Sequence, residues 1–252
     1  MINDGIQEAV QTDAFLMIGQ SNMAGRGDFN VVPVIDDKDL LMLRNGRFQR
    51  LSEPVNPDRG IFYGAQFLSG ISLAPEFALR YKNLTGHRTG LIPCADGGTS
   101  LDAWQPGKTL FDNAVFCTKC ALNKSTLRGI LWHQGEADVT KEERIAAYPD
   151  KFVNMVEALF EELGIEPVPV LVGELGSYLT EKRGWTRVPE MNAMFRTLEE
   201  KLPYVGVVSA EGLECRPDNL HFNSPSLRIF GDRYFEKYLE VAKRIGQDPS
   251  EE

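Results

Sequence analysis

The stretch AFLMIGQSNMAGRG, residues 14–27, passes from five apolar side chains straight into a loop with three glycines and a serine. The apolar run is short and does not alternate with polar residues, so it reads as a strand buried on both faces, as in parallel sheets. Four more runs share this character: Gly90–Cys94, Gly129–Trp132, Val168–Val172 and Val205–Ser209. Amphipathic stretches separate them. Phe152, Met155, Val156, Leu159, Phe160 and Leu163 recur at spacings of three and four, one apolar face of a helix over 149–163, with Pro149 in its first turn and Gly164 at its end. A last helix starts with Ser224 as N-cap and Pro225 just inside, and carries Leu227, Phe230, Tyr234, Tyr238 and Val241 on one stripe. Residues 75–84, 109–124 and 189–202 read as further helices.

Repeated strand–helix alternation predicts an α/β fold, a three-layer α/β/α sandwich around a central, mostly parallel five-stranded sheet. With 252 residues and 42% hydrophobic content the chain can bury an ample core, expected as one domain with its core from about 14 to 243. Residues 28–70, rich in Asp, Pro, Arg and Gly, read as a long functional loop shaping the substrate pocket.

The balance of 27 basic and 36 acidic residues, a net charge of −9, argues against nucleic acid and anionic membranes as partners. No apolar run approaches the ~20 residues that span a bilayer. The opening MINDGIQEAVQTD has no basic region followed by an apolar core, so the expectation is a soluble protein, cytoplasmic unless a leader precedes it. Cys94, Cys117, Cys120 and Cys215 form no disulfide framework, and without a second close pair they read as buried, reduced thiols rather than a metal site.

Ligands in open α/β sheets bind beyond the carboxyl ends of the strands. Beyond the first strand lies Gly19-Gln20-Ser21-Asn22-Met23, beyond the second ADGGTSLDAW (95–104), beyond the third HQGEAD (133–138), and after the fifth RPDNLH (216–221). The fourth offers Glu174 alone. A serine hydroxyl reacts only when a base takes its proton, normally a histidine oriented by a carboxylate. Of the three histidines, His87 lies in a surface-type loop and His133 adjoins the third strand. His221 follows Asp218 by three residues in a loop, a spacing that lets the carboxylate accept the Nδ1–H and leaves Nε2 for Ser21. Gly97-Gly98, the Gln134 amide and the Ser21 N–H are candidate donors for an oxyanion. Each signal has a plainer reading as a helix cap, a surface pair or a tight turn; their convergence on one edge favours a site. Phosphate-loop, dinucleotide and metalloprotease motifs are not matched, nor is the G-x-S-x-G elbow, because Met23 stands where its second glycine belongs. No cofactor or metal is expected.

The blocks GQSNMAGRG, GGTSLDAW, LWHQGEAD and DNLH resemble, in order, those of the SGNH hydrolase superfamily, in particular carbohydrate esterase family 6 and the sialate O-acetylesterases. The resemblance implies a serine esterase acting on O-acetylated sugars such as acetylated xylan. It implies Ser21 as nucleophile, His221 as base and Asp218 as its orienting carboxylate. The oxyanion hole would comprise the Ser21 N–H, the Gly98 N–H and the Gln134 side chain, with Gln134 where most of the superfamily has asparagine. Gln20, Asn22, Gly97 and Glu136 would support these loops, with Arg26 pinning the first block or contacting substrate. Trp104, Tyr178 and Trp185 are candidates for stacking on a sugar ring, each reading at least as well as core or loop packing, and Arg26 or Arg59 for offsetting the negative charge near an anionic sugar. A silent sugar-binding protein and a sugar O-acetyltransferase are the alternatives.

Overall fold

The computed structural model describes residues 11–57 and 68–251. Its first strand, β1 (Thr12–Gly19), is buried along seven of its eight residues, as a central strand covered on both faces must be. Seven strands form one sheet. After β1 come β2 (Leu40–Arg44), β3 (Arg47–Arg50), β4 (Arg88–Pro93), β5 (Thr126–His133), β6 (Val170–Gly173) and β7 (Val205–Val208), in the spatial order β3-β2-β4-β1-β5-β6-β7. Every neighbouring pair is parallel except the antiparallel β2–β3. The five expected strands are all present, in an α/β/α sandwich.

The two additional strands arise within the segment expected to be loop. Leu41 and Met42 of β2 pair with β4, and Asn45-Gly46 turns the chain with both residues at positive φ (51° and 74°). An Asn-Gly pair in that conformation makes the two-residue turn whose twist matches a hairpin. Phe48 of β3 then packs where Gly90 of β4 has no side chain; a Cβ there would lie 2.5 Å from the ring. Residues 58–67, including Arg59, fall outside the described residues.

Helices cover both faces. On one, α2 (Ala74–Thr85) and α7 (Ser224–Arg244) pack together, and Phe15, Phe77, Tyr81 and Tyr238 interlock edge to face with centroids 4.7–5.7 Å apart. The other face carries α3 (Thr109–Leu122), α4 (Glu142–Leu163) and α6 (Val188–Lys201). Two helix starts differ from expectation. Helix α4 begins at Glu142 and runs through Pro149, since Ile145 and Tyr148 continue its buried stripe ahead of the proline. The cap of α7 is Asn223, whose side chain accepts the Ser226 N–H at 2.9 Å, one residue before the expected Ser224. The thiols also differ: Cys94 is buried, whereas Cys117, Cys120 and Cys215 are half-buried, the first two on the partly exposed α3. Among the described residues no helix is long and apolar enough to cross a membrane.

Candidate active site

Strand β1 stops at Gly19, whose φ of +124° and closeness to β5 exclude a side chain; a Cβ would sit 2.2 Å from the His133 carbonyl oxygen. The Gln20 N–H donates to that same carbonyl at 2.8 Å, tying the two strand ends. Ser21 then opens the four-residue helix α1 (Ser21–Ala24), where first-turn N–H groups lack intrahelical acceptors.

The partner of Ser21 arrives from 200 residues away. Beyond β7 the chain folds back on itself through a Cys215–Phe222 bridge, with the Arg216 N–H on the His221 carbonyl at 2.7 Å and Asn219 at φ 57°. Within this turn Asp218 Oδ1 accepts the N–H groups of Leu220 (2.9 Å) and His221 (3.0 Å), while Oδ2 lies 2.9 Å from His221 Nδ1. An ionised carboxylate only accepts, so it fixes the proton on Nδ1. His221 Nε2 is thus left to accept from Ser21 Oγ, also at 2.9 Å. Burial raises the Asp218 pKa, but the His221 and Leu220 donors outweigh it and hold the group below its ordinary value. For His221, burial pushes the pKa down more than Asp218 raises it, leaving it below 6.5. A neutral imidazole next to a hydroxyl can take its proton; the arrangement can activate Ser21 as a nucleophile.

The other expected residues gather around this chain of hydrogen bonds in different ways. Gly97 lies against the serine: a Cβ there would be 2.9 Å from Arg26 Nη2 and 3.6 Å from Ser21 Cβ. Gly98 follows at φ +76° and faces open space. Asn22 is buried, with Nδ2 2.5 Å from Glu136 Oε1 and Oδ1 accepting the Phe222 N–H at 3.1 Å. Gln20 Oε1 accepts from Gln134 Nε2 (3.2 Å) and the Ala137 N–H (3.3 Å).

Gln134 is fully buried, and its two amide hydrogens are shared among Gln20 Oε1, Thr99 O (3.0 Å) and Asp138 Oδ2 (2.7 Å). Its Oε1 accepts the Tyr148 hydroxyl at 2.7 Å. To serve an oxyanion it must release one of these acceptors. Asp138, which sequence reasoning passed over, also accepts the Leu101 N–H at 2.9 Å, so the pair locks the second block onto the third. Replacing Gln134 with alanine would leave Tyr148 and Asp138 short of partners in the interior. The expected result is a loss of about 2–4 kcal/mol of stability in urea titration.

Of the three aromatic candidates, two are buried and the third is partly buried. Trp104 is 1% exposed, bonded to Thr99 Oγ1 at 3.1 Å and set edge to face on Trp132, so no sugar ring can reach it. Tyr178, opening α5 (Tyr178–Arg183), is buried and donates to the Leu220 carbonyl at 3.3 Å, bracing the His221 turn. Trp185 packs against the core with the Arg183 guanidinium 5.1 Å from its ring centroid. Arg26, buried, spends Nη1 on the Gly25 carbonyl at 2.7 Å and bears on Gly97, a pin for the first block rather than an exposed substrate contact. His87 is far from the site. It pairs with buried Asp13 at 2.7 Å at the opposite end of the strands, where Asp13 also accepts from Tyr81 and Arg128. Glu174 pairs with Arg196 at 2.5 Å. Among the described residues no group of three His, Cys, Asp or Glu is placed to hold a metal ion.

Residues 11–240 match the family model described as carbohydrate esterase, sialic acid-specific acetylesterase. The chain belongs to this family. As a member of this carbohydrate esterase family it is a carboxylic ester hydrolase directed at O-acetylated carbohydrate. A probable carbohydrate esterase of Arabidopsis thaliana is 27% identical over 250 residues, covering 89% of each chain. The X-ray structure from that Arabidopsis locus superposes with a TM-score of 0.77 over 90% of this chain and 98% of its own. The crystal structure of NanS shares the fold, at 18% identity and a TM-score of 0.74 over 93% of this chain and 98% of its own. So does a carbohydrate acetylesterase from Xanthomonas citri, at 18% identity and a TM-score of 0.63 over 92% of this chain and 56% of its own.

Proposed function

We propose that this esterase removes acetyl groups from O-acetylated sugars through a covalent acetyl-Ser21 intermediate. One observation carries the reading: Ser21 Oγ, His221 and Asp218 are linked by two hydrogen bonds of 2.9 Å each, at the end of the sheet where such folds bind ligands. His221 Nε2 takes the Ser21 proton as Oγ attacks the acetyl carbonyl. The Ser21 and Gly98 N–H groups receive the developing oxyanion, with Gln134 joining them by releasing one of its present acceptors. Collapse expels the sugar oxygen, which leaves with the proton held on His221. Water, deprotonated by the same imidazole, then attacks the acetyl carbon; collapse breaks the bond to Ser21 Oγ, which takes the proton back from His221, and acetate departs.

The net charge of −9 and the internal engagement of Arg26 favour a neutral sugar such as acetylated xylan over an anionic one. Acetate release from acetylated xylan and from O-acetylated sialic acid tests this directly. Faster release from xylan is expected; release from neither would overturn the reading.

The base must be neutral to act, and its pKa lies below 6.5. The acid limb of kcat/KM should therefore fall below the ordinary histidine value, with full activity already reached at neutral pH. A rate flat from pH 4 to 8 would remove His221 from the reaction.

A further inference from the structure

The environment of His221 contains a second carboxylate, Glu136, linked to it by an asparagine. We infer that Glu136 and Asn22 form a positioning relay that holds His221 over Ser21. The inference rests on the esterase reading above.

Asn22 grips the chain on both sides of His221. Its Oδ1 accepts the Phe222 N–H at 3.1 Å, and its Nδ2 lies 3.5 Å from the Leu220 carbonyl. The two ends of an amide have nearly the same shape, so orientation depends on what each end faces. Glu136 decides it: a carboxylate accepts but does not donate, so its Oε1, 2.5 Å from Nδ2, fixes the nitrogen end and leaves the oxygen for Phe222. The same Oε1 receives His133 Nε2 at 3.1 Å. Turned over, the amide would set oxygen against carboxylate and N–H against N–H, releasing the His221 turn.

The charge itself has a second effect. Glu136 is 4% exposed, and its Oε2 is buried without a hydrogen-bond partner. Burial raises its pKa, but His133 and Asn22 more than compensate, holding it below the ordinary value and ionised. Tyr148, Tyr178 and Tyr234, from α4, α5 and α7, feel the same charge. Around His221, Asp218 on its own turn and Glu136 beyond β5 favour the imidazolium, while Arg26 beyond α1 opposes it.

Glu136→Gln removes the charge and keeps the shape. The expected result with 4-nitrophenyl acetate is a kcat reduced roughly 10- to 100-fold, the scale of a small misplacement, with KM little changed. The acid limb of the pH profile should move to lower pH, as should the His221 imidazole titration followed by NMR. Glu136→Asp keeps the charge but shortens the reach, so kcat should fall with the limb in place. A limb and an NMR titration unmoved in the folded glutamine variant would overturn the relay. If that variant does not fold, Asn22→Ser decides: a lowered kcat supports the relay and an unchanged one ends it. If the wild-type protein hydrolyses no acetyl ester, the esterase reading fails separately, and the NMR titration judges the relay alone.

Discussion

Ser21→Ala should lower kcat on 4-nitrophenyl acetate by about 10⁴-fold or more, the scale seen when a nucleophile acting as one unit with its base is removed. Alanine keeps the β-carbon that sits by Gly97 and loses only the hydroxyl, whose hydrogen-bond partner is His221 Nε2. Stability should therefore shift by no more than about 1 kcal/mol, the net contribution of one hydrogen bond. Side-by-side assays with thermal melts check both halves. Wild-type turnover in a folded alanine variant would exclude Ser21 as nucleophile and with it the acetyl-enzyme route.

The second large effect is expected from Asp218→Asn. Asparagine can still accept the Leu220 and His221 N–H groups through its oxygen, so the turn should hold. Its NH₂ then faces Nδ1, which favours the imidazole tautomer with the proton on Nε2. That tautomer cannot take the Ser21 proton. In a buried triad this change costs about 10⁴-fold. The Asp218 side chain is 39% exposed, so water screens its charge and a loss of roughly 10²- to 10⁴-fold is expected. A loss below about ten-fold, on the same scale, would mean that backbone hydrogen bonds alone orient His221.

Much of this arrangement could be read in the chain, for identifiable reasons. Parallel strands buried on both faces leave unbroken apolar runs, and Phe15–Ile18 and Gly129–Trp132 are such runs. Sites at strand ends leave polar, glycine-bearing blocks directly after them, which marked Ser21, Gly97 and Gln134. Asp218 and His221 are close in sequence, so their pairing was visible locally. The β2–β3 hairpin escaped although Leu40–Leu43 is an apolar run and Asn45-Gly46 a hairpin turn, because the Asp, Pro, Arg and Gly around them read as loop. Trp104 was misassigned because a tryptophan beside a glycine block looks the same whether it faces solvent or, as here, Trp132. The orientation of Gln134 depends on Asp138 and on Tyr148 of α4, and that of Asn22 on partners 114 and 200 residues away. Side-chain direction set by distant partners leaves no local trace.

The hydrogen bond from Ser21 to His221 spans 200 residues and closes between the end of β1 and the turn before α7. No shorter piece of the chain contains both ends. Contacts of such long separation form late, after most of the loop-closure entropy has been met. Esterase turnover is therefore a stringent gauge of complete renaturation, since species that have regained secondary structure without this closure cannot turn over substrate.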